Sequence, residues 1–163
     1  MRPGELQGLE KQTLMQITGT VGALLREKAP ATHSISPTAT VLDAIALMAE
    51  RNIGALPVMQ DGNLAGMFTE RDYTRKVILM GRKSRDTQVG EIMTREPVTV
   101  SPDDSVNECM EIMTEERIRH LPVIEDGKLI GILSIGDLVK WIISAQTATI
   151  EHLTRYVFGE PVS

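Results

Sequence analysis

Residues 36–73 reappear, without a gap, 65 positions later as residues 101–138. Superposed, the copies share Ser36/Ser101, Pro37/Pro102, Val41/Val106, Met48/Met113, Glu50/Glu115, Ile53/Ile118, Leu56/Leu121, Pro57/Pro122 and Val58/Val123. The identities continue through Asp61/Asp126, Gly62/Gly127, Leu64/Leu129, Gly66/Gly131 and Asp72/Asp137, and most other pairs exchange one apolar residue for another. A repeat of this length is one supersecondary unit used twice. It constrains the chain to a pseudo-twofold plan with related sites in its two halves.

Each copy reads as β-α-β-β-α. A short apolar strand, His33-Ser34-Ile35 or Val98-Thr99-Val100, is broken by Ser-Pro. Thr40-x-x-Asp43 and Ser105-x-x-Glu108 follow as capping boxes. Behind them Val41, Ala44, Ile45 and Met48, and likewise Val106, Cys109, Met110 and Met113, recur at helical spacing. The methionines read as core rather than as a ligand stripe, because Met fills irregular gaps. Leu-Pro-Val then marks a strand in each copy, at residues 56–58 and 121–123, with proline confined to a strand start or edge. Asp61-Gly62 and Asp126-Gly127 predict hairpin turns, since such turns need positive φ. The return strands end at Thr69 and Ser134, where second helices begin, and 77–91 links the copies. Ile150, Leu153, Val157 and Phe158 space like one face of a short extra helix, available to cover a core edge or a second chain.

The 163 residues suffice for one compact module or two small ones. A formal net charge of −5 argues against a nucleic-acid surface. No apolar run reaches membrane-spanning length, and residues 1–18 do not read as a signal peptide, so a cytoplasmic protein is expected. The single cysteine, Cys109, excludes an internal disulfide and reads as a small core residue in a reducing compartment. Leu6, Leu9 and Ile17 leave 1–18 open between a weak amphipathic arm and a disordered lead.

Chemistry concentrates in Gly66-Met67-Phe68-Thr69-Glu70-Arg71-Asp72 and its twin Gly131-Ile132-Leu133-Ser134-Ile135-Gly136-Asp137. A hydroxyl at a strand end and an aspartate one turn later share a helix N-terminus, whose N–H groups suit phosphate. The carboxylate can accept both hydroxyls of a ribose. Taken alone, Thr/Ser-x-x-Asp is also a plain capping box, and the two roles can coexist.

The ordered set of Leu-Pro-Val, Asp-Gly and Gly-x-x-[Thr/Ser]-x-x-Asp, present twice, resembles tandem cystathionine-β-synthase (CBS) domains, a Bateman module, over about residues 19–143. The resemblance implies an α/β fold of the α+β type: two β-α-β-β-α repeats about a pseudo-twofold axis, with two clefts between them. The implied segments are an arm at 1–18, a first domain at 19–78, a linker at 79–88, a second domain at 89–143 and a tail at 144–163. In such modules the clefts take AMP, ADP, ATP, NAD(H) or S-adenosylmethionine, and the role is sensing. Carried over, Thr69 and Asp72 face Ile118 and Arg119, while Ser134 and Asp137 face Ile53 and Gly54. Ile53 and Ile118 would sandwich adenine, though both suit a core equally well. Arg71, Arg119 and His120 would reach phosphates; His120 reads equally as a structural histidine and Arg119 as a surface residue. His33 and His152 have no ligand-like neighbours, and the 82–85 basic cluster reads as a solvated linker, with grazing of a bound phosphate as its alternative.

No nucleophile–base pair and no His/Cys/Asp cluster at metal-ligand spacing stands out, so the chain reads as a non-enzymatic module without metal. A ligand-free scaffold is the alternative. A homodimer is expected, together with an unidentified protein target. Arg71 against Gly136 makes the clefts unequal, Arg71 suiting a mononucleotide such as AMP and Gly136 leaving space for a longer ligand. The resemblance to family members with this motif pairing implies AMP in one cleft and NAD(H) in the other, the alternative being one ligand in both.

Overall fold

The computed structural model describes residues 2–28 and 33–158; the side chain of Ile17 and tail residues 159–163 lie outside the described residues. Packing divides the chain into two compact units. One draws on residues 33–100 and 120–132, the other on 2–28, 101–119 and 133–158.

In the first unit, Thr40 caps α3 (Val41–Arg51), its hydroxyl accepting from the Asp43 N–H. The helix buries Val41, Ala44 and Met48, and ends on Asn52 in the left-handed region. Strand β1 (Ala55–Gln60) pairs antiparallel with β2 (Asn63–Thr69). The turn between them puts Asp61 at φ 51° and Gly62 at φ 78°, the positive pair that a two-residue hairpin demands. Pro57 lies on the edge strand β1, where no ladder N–H is missed. A short α4 (Glu70–Asp72) runs into a π-helical stretch, Tyr73–Ile78. Next come α5 (Val89–Ile92) and a third strand, β3 (Thr94–Arg95), paired antiparallel with β2. The core gathers Val41, Leu56, Val58, Phe68, Val77 and Val89, all fully buried.

The second unit opens with α1 (Pro3–Thr18), so the arm is helical, and its Leu6 and Leu9 are exposed. Then follow α2 (Val21–Glu27) and α6 (Val106–Glu116), the latter started by the complete Ser105/Glu108 capping box. Val21, Leu24, Val106, Cys109, Met113 and Leu138 are buried. Burial chiefly, with Asp104 and Glu108 nearby, pushes the Cys109 thiol up to about 12, the state of an inert core cysteine. The second hairpin, β4 (His120–Glu125) with β5 (Lys128–Ser134), belongs to the first unit up to Ile132, and its turn puts Asp126 at φ 50° and Gly127 at φ 75°.

Two expectations change. His33-Ser34-Ile35 and Val98-Thr99-Val100 are not strands; each supplies one bridging residue. Ile35 donates to Pro57 O (3.0 Å) and accepts from Met59 N (2.9 Å), and Val100 does the same with Pro122 O (3.0 Å) and Ile124 N (2.8 Å). The following Pro37 or Pro102 has no N–H, so the ladder cannot continue. Within the 77–91 linker, Val77, Thr87 and Val89 are buried. Val41 N donates to Thr87 O (2.8 Å), and Gly90 N to Pro37 O (2.8 Å). Its counterpart in the other unit docks alike, Gly22 N donating to Pro102 O and Val21 N to Asp104 O, both at 2.9 Å. Finally, the apolar face at 150–158 is no separate helix; it continues α7 (Ile135–Phe158).

β3 crosses β2 where only glycine fits, since a Cβ on Gly66 would lie 2.6 Å from Thr94 O and 2.8 Å from Met93 Sδ. Gly66→Ala must push β3 away and should cost about 1–3 kcal/mol, the usual penalty of overpacking. Gly136→Ala, whose Cβ would meet only Ser134 Oγ at 3.6 Å, should leave the melting temperature unchanged or raised. Thermal denaturation checks both, and a Gly66→Ala protein as stable as the parent contradicts the close approach.

Candidate functional site

The two Gly-x-x-[Thr/Ser]-x-x-Asp motifs fold into one local device, made once in each unit. In the first, Asp72 N donates to Thr69 Oγ1 (3.1 Å), while Thr69 N and Oγ1 both donate to Asp72 Oδ2 (3.0 and 3.1 Å). In the second, Asp137 N donates to Ser134 Oγ (3.1 Å) and Ser134 N to Asp137 Oδ2 (2.8 Å). A strand-terminal hydroxyl and an aspartate thus satisfy each other's backbone at the helix start. The first helical N–H is held too. Glu70 N donates to Gly54 O (3.1 Å), and Ile135 N to Arg119 O (2.9 Å).

Those last bonds bring Gly54 beside Thr69 and Asp72, and Arg119 beside Ser134 and Asp137. Gly54 also lies against the His120 ring; a Cβ there would sit 3.4 Å from Cε1 and 3.9 Å from Glu70 Cδ. Ile53 and Ile118 are half-buried, each placed by a helix end: Ile53 N donates to Met48 O (3.0 Å) and Ile118 N to Met113 O (3.1 Å). The residues before them, Asn52 and Arg117, take the left-handed conformation that this type of cap requires. Arg71 and Arg119 are exposed and His120 half-buried.

Each carboxylate also holds a lysine that the motif did not announce. Lys76 Nζ lies 3.0 Å from Asp72 Oδ1 and donates to Ile92 O (3.0 Å). Thr94 Oγ1 reaches the same Oδ1 at 3.3 Å. Lys28 Nζ lies 2.7 Å from Asp137 Oδ2. The i,i+4 spacing of Asp72 and Lys76 was readable in the sequence. Lys28 and Thr94 left no such signal, being brought in by chain folding from 109 and 22 residues away.

The two carboxylates differ in exposure. Four donors engage Asp72, filling the roughly four acceptor positions of a carboxylate, and its side chain is 10% exposed. At Asp137, Lys28 Nζ and Ser134 N both meet Oδ2, and the side chain is 25% exposed. Burial by itself would raise the Asp137 pKa. The bonds from Lys28 and the Ser134 N–H outweigh it and hold the carboxyl below its ordinary range.

A fold of paired helix–hairpin units with a hydroxyl–aspartate helix start in each defines a two-repeat regulatory module. The chain belongs to the CBS-domain family, whose model matches residues 23–78 and again 89–144. Modules of this family are generally regulatory, and they commonly bind adenine nucleotides. The mitochondrial CBS domain-containing protein CBSX3 of Arabidopsis thaliana is 46% identical over 125 residues; the match covers 74% of this chain and 61% of that protein, less than two thirds of its length. A solved CBS-domain protein from Burkholderia ambifaria is 50% identical, with a TM-score of 0.75, over 77% of this chain and 94% of its own. Another, from Agrobacterium tumefaciens, is 38% identical, with a TM-score of 0.71, over 74% of this chain and 97% of its own. Among the described residues no helix is long and apolar enough to cross a membrane.

Because its pKa is depressed in the fold, Asp137 adds stability above the ordinary value of 3.8, and loses it as pH falls through the folded value. Lys28→Ala removes the cation but not the burial, so the Asp137 pKa should rise in a carbon-detected NMR titration. The variant should lose about 0.5–1 kcal/mol at pH 7 and progressively less toward pH 3, the scale of a partly exposed ion pair. An unchanged Asp137 titration contradicts the pairing.

Proposed function

We propose that this chain is a regulatory module that senses adenine nucleotides through Asp72 and Asp137, in clefts between repeats at 19–78 and 89–143, and does no chemistry of its own. The observation that carries this reading is the hydroxyl–aspartate helix start, built twice with the same bonds. Such a start offers a ribose two acceptor oxygens and offers a phosphate the partial positive charge of a helix N-terminus. On the family pattern, Thr69 and Asp72 work with Ile118 and Arg119, and Ser134 and Asp137 with Ile53 and Gly54. The two isoleucines flank the adenine, and Arg71, Arg119 and His120 serve the phosphates. The module reports to a protein target or through its own assembly as a homodimer. The unpaired, buried Cys109 suits a reducing compartment such as the cytoplasm.

The two clefts are unequal in this reading. Arg71 stands where a first phosphate would lie and suits AMP. Gly136 leaves the equivalent point open, since a Cβ there would meet only Ser134 Oγ, so NAD(H) can extend past it. The greater exposure of the Asp137 carboxylate supports ready binding on that side. A ribose at Asp72 has to displace Thr94 or Lys76, and a carboxylate so fully engaged is also what a ligand-free scaffold would keep.

Titration calorimetry decides between these. Asp72→Ala and Asp137→Ala should each weaken one binding event by about 1.5–3 kcal/mol, roughly ten- to hundredfold in Kd. Arg71→Ala should weaken AMP while NAD binding persists. If the double aspartate variant, folded by circular dichroism, binds AMP, NAD and S-adenosylmethionine as the parent does, these sites are not the ligand sites. If the parent binds none of them, the scaffold reading holds. Equal loss of AMP and NAD in Arg71→Ala removes the asymmetry alone.

A further inference from the structure

Helix α7 changes character along its length. Its first turns pack inward through Leu138, fully buried, and through Trp141, Ile142 and Ala145, half-buried at helical spacing. From Gln146 to Phe158 every described side chain is exposed. Yet this stretch is a poor helix former. It carries Thr147, Thr149 and Thr154, whose hydroxyls turn back on the carbonyls of Ile143, Ala145 and Ile150 at 2.8–3.0 Å. A helix of this length and composition owes its stability to packing, and among the described residues no side chain from Gln146 to Phe158 is buried.

What the stretch does offer is a stripe with a strict repeat. Val139, Ile143, Gln146, Ile150, Leu153 and Val157 follow one another at steps of four and three, and all are exposed. In heptad terms Ile143, Ile150 and Val157 hold the a positions, and Val139, Gln146 and Leu153 the d positions. β-Branched residues at a with leucine at d are the pattern of a parallel two-stranded coiled coil. The flanking positions Thr147, Thr149 and Thr154 carry no charge to oppose an identical helix. Gln146, the one polar residue of the stripe, meets its own copy only when two helices lie parallel and in register, as polar residues at such seams require. A membrane surface fits poorly, because the exposed polar face has threonines where an interfacial helix places a row of Lys and Arg.

We propose that α7 joins a second copy of the chain as a parallel, in-register coiled coil through Ile143, Gln146, Ile150, Leu153 and Val157. The apolar side chains of the stripe, 41–73% exposed from Val139 to Val157, together present on the order of 500 Å² per helix. A symmetric pair buries at most on the order of 1,000 Å², the lower limit of a specific interface. The seam rests on the homodimer reading but not on nucleotide binding. It also lies on the helix whose first turn carries Asp137, so an event at that carboxylate and the dimer share one element.

Sedimentation equilibrium on the full chain should show a dimer at about 10 µM without nucleotide. Ile150→Glu and Leu153→Glu should each raise its dissociation constant by about a hundredfold, since each puts an unpaired carboxylate in the seam, while circular dichroism of the modules is unchanged. Single cysteines at Ile150 and at Val157 should each cross-link to themselves on mild oxidation, because facing a positions fall within disulfide reach. Ser144→Cys, outside the stripe, should not, and Cys109 is too buried to add background. A monomeric parent overturns both the homodimer and the seam. A dimer that survives both glutamates overturns the seam alone. Cross-linking at Ile150 but not at Val157 overturns the parallel register.

Discussion

A hydroxyl at the end of a strand and a carboxylate one helical turn later exchange hydrogen bonds with each other's backbone, at Thr69 with Asp72 and at Ser134 with Asp137. The rest of each motif depends on that exchange. It ends the return strand, starts the next helix and fixes where an ionised group stands at a helix N-terminus. An aspartate there is favoured twice, by the N–H it caps and by the helix dipole. The same bonds pull in the carbonyl of Gly54 or Arg119 and so tie the approach to β1 or β4 to the helix start. Position, charge and rigidity all come from one local arrangement, which makes a capping motif usable as a binding motif.

The two copies have diverged around that shared device. Thr94 and Lys76 close around Asp72, and β3, which carries Thr94, sits close enough to β2 to exclude any side chain at Gly66. Asp137 has Lys28 and a more exposed carboxylate. One carboxylate is built into its surroundings, and the other is held by a cation on a neighbouring helix end. Two copies of one motif pattern therefore present different chemistry, and part of the difference lies in what folds onto them.

How much of this was legible follows the range of each interaction. The hairpin turns were readable because Asp-Gly has a local conformational requirement, and both pairs take the positive φ values it implies. The caps at Ser105, Thr69 and Ser134 were readable for the same reason. Elements set by distant partners were not. Thr94–Arg95 became a strand because β2 offered a free edge beside Gly66, which no local pattern announces. His33-Ser34-Ile35 looked like a strand by composition, but the proline that follows stops the ladder after one bridge. Lys28 met Asp137 across most of the chain. The face at 150–158 was seen as helical, and its fusion into α7 was hidden by the weak propensity of the intervening threonines.

The central claim is that these two helix starts hold the adenine nucleotide, and amide chemical shifts read it most directly. AMP and, separately, NAD are titrated into ¹⁵N-labelled protein and the amides followed one by one. The account predicts saturable shifts that are largest at Gly54, Thr69 and Asp72 and at Arg119, Ser134 and Asp137. Shifts confined to other residues, or none at millimolar nucleotide, would contradict it.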